Sequence, residues 1–193
     1  MKKKPKIILN APIVISFVTI SFFALLLSGV TNGVTNQLLF MTYHSSLKSP
    51  MTYLRFFTHV FGHADWEHFV GNMCYILLLG PMLEEKYRSD ILAEVIIMTA
   101  LVTGVINYIL FPNVALCGAS GVVFAFILMS SFTNFRAGEI PLTFILVAIF
   151  FMGKEIFQGM FIEDNISNMA HIVGGILGGI LGYAVNKRSK ARK

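Results

Sequence analysis

Six long apolar runs decide most of what this chain can fold into. They cover residues 7–29, 68–84, 91–111, 119–133, 141–157 and 169–186. A helix that crosses a bilayer needs about 20 mostly apolar residues, and these runs are of that order. Composition agrees: 55% of the residues are hydrophobic and 13% are charged, where soluble domains carry about a quarter charged residues. Mean hydropathy is +0.72. The expected fold is therefore an all-α membrane protein, a bundle of six transmembrane helices. One membrane domain spans 1–193, with basic tails at 1–6 and 186–193. The long segment 30–67 joins the first two spans. It carries Tyr43, Tyr53, Phe56, Phe57, Phe61 and Trp66 and is broken by Pro50 and Gly62. Such an aromatic stretch suits a segment lying in the membrane interface. The first run follows a lysine-rich start but is long for a signal peptide and lacks an A-x-A site, so it reads as a retained span.

The charges set the orientation. With the N-terminus in the cytoplasm, the inside segments 1–6, 85–90, 134–140 and 186–193 hold four, two, one and five Lys or Arg. The outside loops, about 30–67, 112–118 and 158–168, hold only Lys48 and Arg55. Twelve against two satisfies the positive-inside rule and puts both termini in the cytoplasm. The net charge of +5 thus reports topology, not nucleic-acid binding. Cys74 and Cys117 lie in or beside apolar runs and read as small packing residues, with no CxxC motif or disulfide framework.

That topology gathers the polar residues into one layer. The second, fourth and sixth runs all travel inward. They open with His68 and Asn72, with Ser120, and with His171. The fourth run is short: about 14 residues give roughly 21 Å of helix against a ~30 Å hydrocarbon core. Ser120 is therefore expected below the headgroups, in a cavity walled by protein, where polar residues are costly and mark function.

Each residue alone has a plain structural reading. Ser120 could cap its helix; His171 could cap or bridge helices; His68 and Asn72, one turn apart, could bond a neighbouring helix. Asp65 and Glu67 read as solvated charges favoured by the helix dipole. His63 and His68 could suggest a metal, but HxxxxH spacing would put the rings on different helix faces and no Cys or carboxylate completes a site.

Together they describe a chemistry. A serine needs a base, usually histidine, to become a nucleophile. Acyl transfer also needs donors for the developing oxyanion. His68 and Asn72 offer side-chain N–H groups, and the Ser120 amide at a helix start offers another. No buried acid is placed to make a third member, so Ser120 and His171 form a dyad. Phe124, one turn after Ser120, can pack on the His171 imidazole. Gly174, Gly178 and Gly182 form a small-residue ridge on the His171 face, answered by Gly121 on the fourth run, which lets the two backbones approach.

Three motifs resemble the rhomboid intramembrane serine proteases: HADWEHFVGN at 63–72, GASG at 118–121 with Gly118 and Gly121 around Ser120, and AHIVGGILG at 170–178. The resemblance runs from about 50 to 183. It implies Ser120 as nucleophile, His171 as general base, and His68 and Asn72 as oxyanion donors. It implies His63 as a structural loop histidine, and Gly80 and Glu84 as the family's glycine and glutamate at the inner end of the second span. The sequence departs where the family often has Trp-Arg in the first loop (here Leu54-Arg55) and tyrosine four after the serine (here Phe124). The resemblance further implies a prokaryotic six-span core without cofactor or metal, in the plasma or inner membrane. Its substrates would be single-span transmembrane proteins, cut near their outer ends at small residues. Membrane lipid is the other expected partner, and nucleic acid is not. Water must enter, so the loops at 112–118 and 158–168 are expected to be mobile, with Gly159, Asn165 and Ser167 permitting it. The alternative is a catalytically silent rhomboid-like scaffold that binds membrane helices. A small transporter would show inverted repeats or mid-membrane charges, which the sequence lacks.

Overall fold

The computed structural model describes residues 7–133, 139–153, 157 and 165–190. The first basic tail, residues 134–138 with Arg136, and the loop stretch 158–164 with Gly159 lie outside the described residues. Apart from one isolated antiparallel bridge, Thr42 with Leu116, the described secondary structure is helical. The elements are α1 (Pro12–Val30), α2 (Val34–Leu39), α3 (Pro50–Thr58) running into a 3-10 turn (His59–Phe61), α4 (Trp66–Tyr87), α5 (Ser89–Leu110), α6 (Ser120–Ser130), α7 (Leu142–Val147) continuing as a π-helical stretch (Ala148–Met152), and α8 (Asn165–Lys190).

Each of the six apolar runs carries a helix, but they are not equal. Three stretches are long and apolar enough to cross a membrane by length and composition: Pro12–Val30, Ser89–Leu110 and Asn168–Val185. α4 is as long, 22 residues, but Glu67, Glu84, Glu85 and Lys86 at its ends dilute its apolar character. α6 has 11 residues, about 16 Å of helix. Its residues Gly121 to Met129 are all buried, so this helix is apolar all round and forms the centre of the bundle. α4, α5 and α8 pack around it, and α8 lies along most of its length.

α1 starts without a capping side chain of its own. Glu84, 4% exposed near the end of α4, supplies one. Its Oε1 accepts from the Ile13 amide at 3.0 Å and its Oε2 from the Val14 amide at 3.1 Å. Ser89 Oγ donates to the same carboxylate at 2.6 Å. These bonds satisfy amides that the first turn of any helix leaves orphaned.

The 30–67 segment is built, not slack. Arg55 is 5% exposed. It donates to Tyr43 Oη at 2.6 Å and Ser45 Oγ at 2.8 Å, with its guanidinium 4.2 Å from the Tyr43 ring centroid. The expected mobility of 112–118 is corrected by similar ties. Thr42 and Leu116 exchange amide–carbonyl bonds of 2.9 and 2.8 Å, Asn107 Nδ2 donates to Val114 O at 3.1 Å, and the Gly118 amide donates to His59 O at 2.9 Å. A second correction concerns 158–168. Asn165 and Ser167 belong to α8, which begins one turn earlier than the apolar pattern suggests. Periodicity misses that turn because three of its four residues, Asn165, Ser167 and Asn168, are polar. The packing role expected of the cysteines is corrected for Cys74, which lies exposed on α4, whereas Cys117 is half-buried.

Candidate active site

Ser120 is the first residue of α6, and the N-cap is Ala119, which makes no side-chain cap bond. Ser120 is therefore not the capping residue that its position could suggest. The chain reaches α6 through Gly118, whose φ of +127° is a conformation side chains rarely adopt. A Cβ there would lie 2.6 Å from His68 Cε1 and 2.7 Å from its Nε2. The bare backbone at Gly118 thus lets the His68 ring settle against the turn that presents Ser120.

His68 sits in the first turn of α4. Its amide donates to the N-cap carboxylate of Asp65, at 2.8 Å from Oδ1. Its ring meets His63 edge-on, centroids 5.1 Å apart. This corrects the expectation that HxxxxH spacing separates the two rings, because His63 lies before α4 and not on it. His63 is fully buried. Its Nδ1 lies 3.2 Å from Phe61 O, so that nitrogen carries the proton, and Asn36 Nδ2 donates to its carbonyl at 2.8 Å. Burial, with His68 alongside, pushes the His63 imidazole down to about 4. His59, also buried, donates or accepts through Nε2 with Thr103 Oγ1 at 3.2 Å. Burial holds it at about 4 as well. Burial and the charge of Asp65 push the Cys117 thiol up to about 11.

One turn beyond His68, Asn72 is 7% exposed and its Nδ2 finds no hydrogen-bond acceptor. A buried amide donor without a partner is costly and calls for an explanation.

His171 lies in the second turn of α8. Its imidazole stacks on Phe124, centroids 4.3 Å apart and planes within 4°. Phe151 meets Phe124 edge-on, centroids 6.1 Å apart. α8 can bring His171 this close because glycines face α6. A Cβ on Gly174 would collide with the Gly121 carbonyl, and one on Gly178 with the Ala125 backbone. A Cβ on Gly121 would itself stand 3.3 Å from Ala170 O.

The result is a cleft of about 460 Å³ lined by Ser120, His171, His68, Asn72, Phe124, Gly71, Tyr75, Val123, Asp65 and Glu67. The structure thus brings Ser120, His171, His68, Asn72 and Phe124 together. Gly118, Gly121, Gly174 and Gly178 hold the elements that carry them, and His63 lies behind His68. Sequence reasoning read Asp65 and Glu67 as solvated loop charges and overlooked Gly71 and Tyr75. Their spacing on α4 with His68 and Asn72 (67, 68, 71, 72, 75) marks one helix face and was available to find them.

A Rhomboid domain model matches residues 50–188. Mouse Rhomboid-related protein 2 is 32% identical over 160 residues, covering 72% of this chain and 53% of that protein. Rhomboid-related protein 1 of Caenorhabditis elegans is 30% identical over 142 residues, 68% of this chain and 39% of that protein. Rhomboid protease GlpG of Haemophilus influenzae is 26% identical over 140 residues, 70% of this chain and 71% of that protein. The chain spans about half or less of the mouse and worm relatives it matches.

Proposed function

The chain belongs to the rhomboid family, and from that premise we propose that it is an intramembrane serine endopeptidase. It crosses the membrane six times as one domain over 1–193, with both termini in the cytoplasm of a cell that carries it in its plasma or inner membrane. The cleft opens to the outer face. Substrates are single-span proteins cut near the outer ends of their spans, at small residues where the helix can unwind.

The observation that supports this most is the shared cleft, lined by Ser120, by a His171 stacked on Phe124 and by Asn72, whose buried amide finds no partner. In the reaction Ser120 Oγ attacks the scissile carbonyl carbon while His171 takes its proton. The carbonyl oxygen becomes an oxyanion, which Asn72 Nδ2, His68 and the Ser120 amide stabilise. Fixed donors in a dry site cost little reorganisation at that moment. The tetrahedral intermediate collapses, the C–N bond breaks, and His171 returns the proton to the leaving amine. Water then repeats the sequence on the acyl-enzyme ester, with His171 as base. Phe124, stacked on the imidazole, restricts the tilt of the ring.

The test is incubation of the purified protein in detergent with a model single-span substrate beside Ser120→Ala. Cleavage by the first and none by the second is expected. Turnover persisting in Ser120→Ala would overturn the serine mechanism.

A further inference from the structure

None of the residues Leu142–Val147 of α7 is buried. The helix and its π-helical continuation touch the core through half-buried side chains, Phe144, Val147, Ala148 and Phe151. These positions recur at helical spacing and form one face. An aromatic contact marks each end of that face. Phe144 lies on Phe132, centroids 4.4 Å apart. Phe151 meets Phe124, centroids 6.1 Å apart with the planes at 79°. Only the second contact reaches a ring of the cleft, and it is the ring on which the His171 imidazole is stacked at 4.3 Å. Ile149 and Phe150, the two residues before Phe151, are 60% and 70% exposed. Phe151 therefore turns inward where its neighbours turn outward. It does so from the π-helical stretch Ala148–Met152, a rare geometry that is frequent at functional sites. Phe151 is not among the residues that line the cleft, so its route to the chemistry is Phe124.

We propose that Phe151 is a positioning residue for the catalytic base, acting through Phe124. This rests on the proteolytic reading of the cleft. A stacked ring restrains an imidazole only as far as it is itself held. Phe151 meets Phe124 in the edge-to-face geometry that aromatic pairs favour, which removes tilt from Phe124, and the stack passes that restraint to His171. Proton transfer needs the imidazole nitrogen within hydrogen-bond reach of the Ser120 hydroxyl. Loosening Phe124 lowers the fraction of time that this holds. α7 thus bears on the base through one side chain that touches neither Ser120 nor the cleft.

The test compares full-length Phe151→Leu, which keeps an apolar side chain and loses the ring, with Phe151→Tyr, which restores the ring. Phe150→Ala, next to it and exposed, is the control for α7 itself. Steady-state cleavage of a single-span model substrate is read beside the NMR signals of the His171 ring protons, which the ring current of a stacked Phe124 shields. Phe151→Leu is expected to lower kcat about two- to ten-fold, the worth of one aromatic pair, with KM nearly unchanged. The His171 ring protons are expected to move downfield in the same variant. Phe151→Tyr is expected to match the unmutated protein in both readouts, and so is Phe150→Ala. His171 signals that stay in place in Phe151→Leu, or that move equally in Phe150→Ala, overturn the positioning role. So does an unchanged kcat, or a loss confined to KM, and either leaves the protease reading standing. A downfield shift confined to Phe151→Leu, in a protein that cleaves nothing when unmutated, supports the restraint on His171 and overturns the protease reading.

Discussion

Gly178 is a position at which a single methyl group should do large damage. Its Cβ, if it had one, would stand 2.5 Å from Ala125 Cα and 2.7 Å from the Ala125 carbonyl carbon. Non-bonded carbons pack at about 3.5–4.0 Å. Backbone cannot swing aside, so Gly178→Ala must separate α8 from α6 by about 1 Å. His171 rides on α8 and Ser120 on α6. A 1 Å displacement in a catalytic pair can cost about 10²-fold in rate. Overpacking of this kind costs about 1–3 kcal/mol, or a midpoint drop of a few degrees to about 10 °C for a chain of this size. Gly179 is the built-in control. Its Cβ would meet only the Phe144 ring, at 3.5 and 3.6 Å, which is ordinary contact. Alanine there gains helix propensity worth up to about 1 kcal/mol, so Gly179→Ala is expected to melt at the same temperature or slightly higher. The assay is cleavage rate and melting midpoint of both variants in one detergent. Equal losses, or a larger loss at Gly179, would refute the α6–α8 contact and the argument built on it.

Asn72→Ala is expected to lower kcat by roughly 10²–10³ with KM nearly unchanged, because an oxyanion donor acts in the transition state; steady-state kinetics on the model substrate decide it, and a pure KM effect would contradict the role. Glu84→Ala is expected to lower the melting midpoint by leaving the Ile13 and Val14 amides unpaired, a cost of about 1–3 kcal/mol; an unchanged midpoint would refute it. Stability should also depend on acid. His59 and His63 titrate near 4 when folded and near 6.5 when unfolded, so below about 6.5 the unfolded chain takes up protons first. Their contribution is intact above about pH 6.5 and lost as pH falls to about 4, and melting midpoints measured across that window should decline.

How much of this was legible in the sequence differs from residue to residue. The gathering of His68, Asn72, Ser120 and His171 follows from counting: three helices running the same way place their opening polar residues in one layer. The rotation of α8 is legible too, because Gly174 and Gly178 share a helix face with His171 and the structure sets both against α6. The Glu84 cap is harder. A glutamate near a helix end reads as a solvated charge, and its partners Ile13 and Val14 are some seventy residues away, beyond any local period. The anchoring of 112–118 is hidden for a similar reason, since it depends on main-chain bonds to Thr42 and His59 that leave no side-chain pattern. The contact of the His63 and His68 rings depends on where α4 begins. His63 lies before its first residue, Trp66, so the spacing of helix faces does not apply to the pair and the chain turn between them brings the rings together.

The most direct test of the central claim, a Ser120 nucleophile activated by His171, is covalent labelling with a fluorophosphonate. Ser120 Oγ would displace fluoride from phosphorus, with the proton passing to His171. Intact-mass and peptide mapping of the purified protein should show a single adduct, on Ser120, absent in Ser120→Ala and nearly absent in His171→Ala. An adduct on another residue, or labelling of Ser120 at the same rate without His171, would contradict the account.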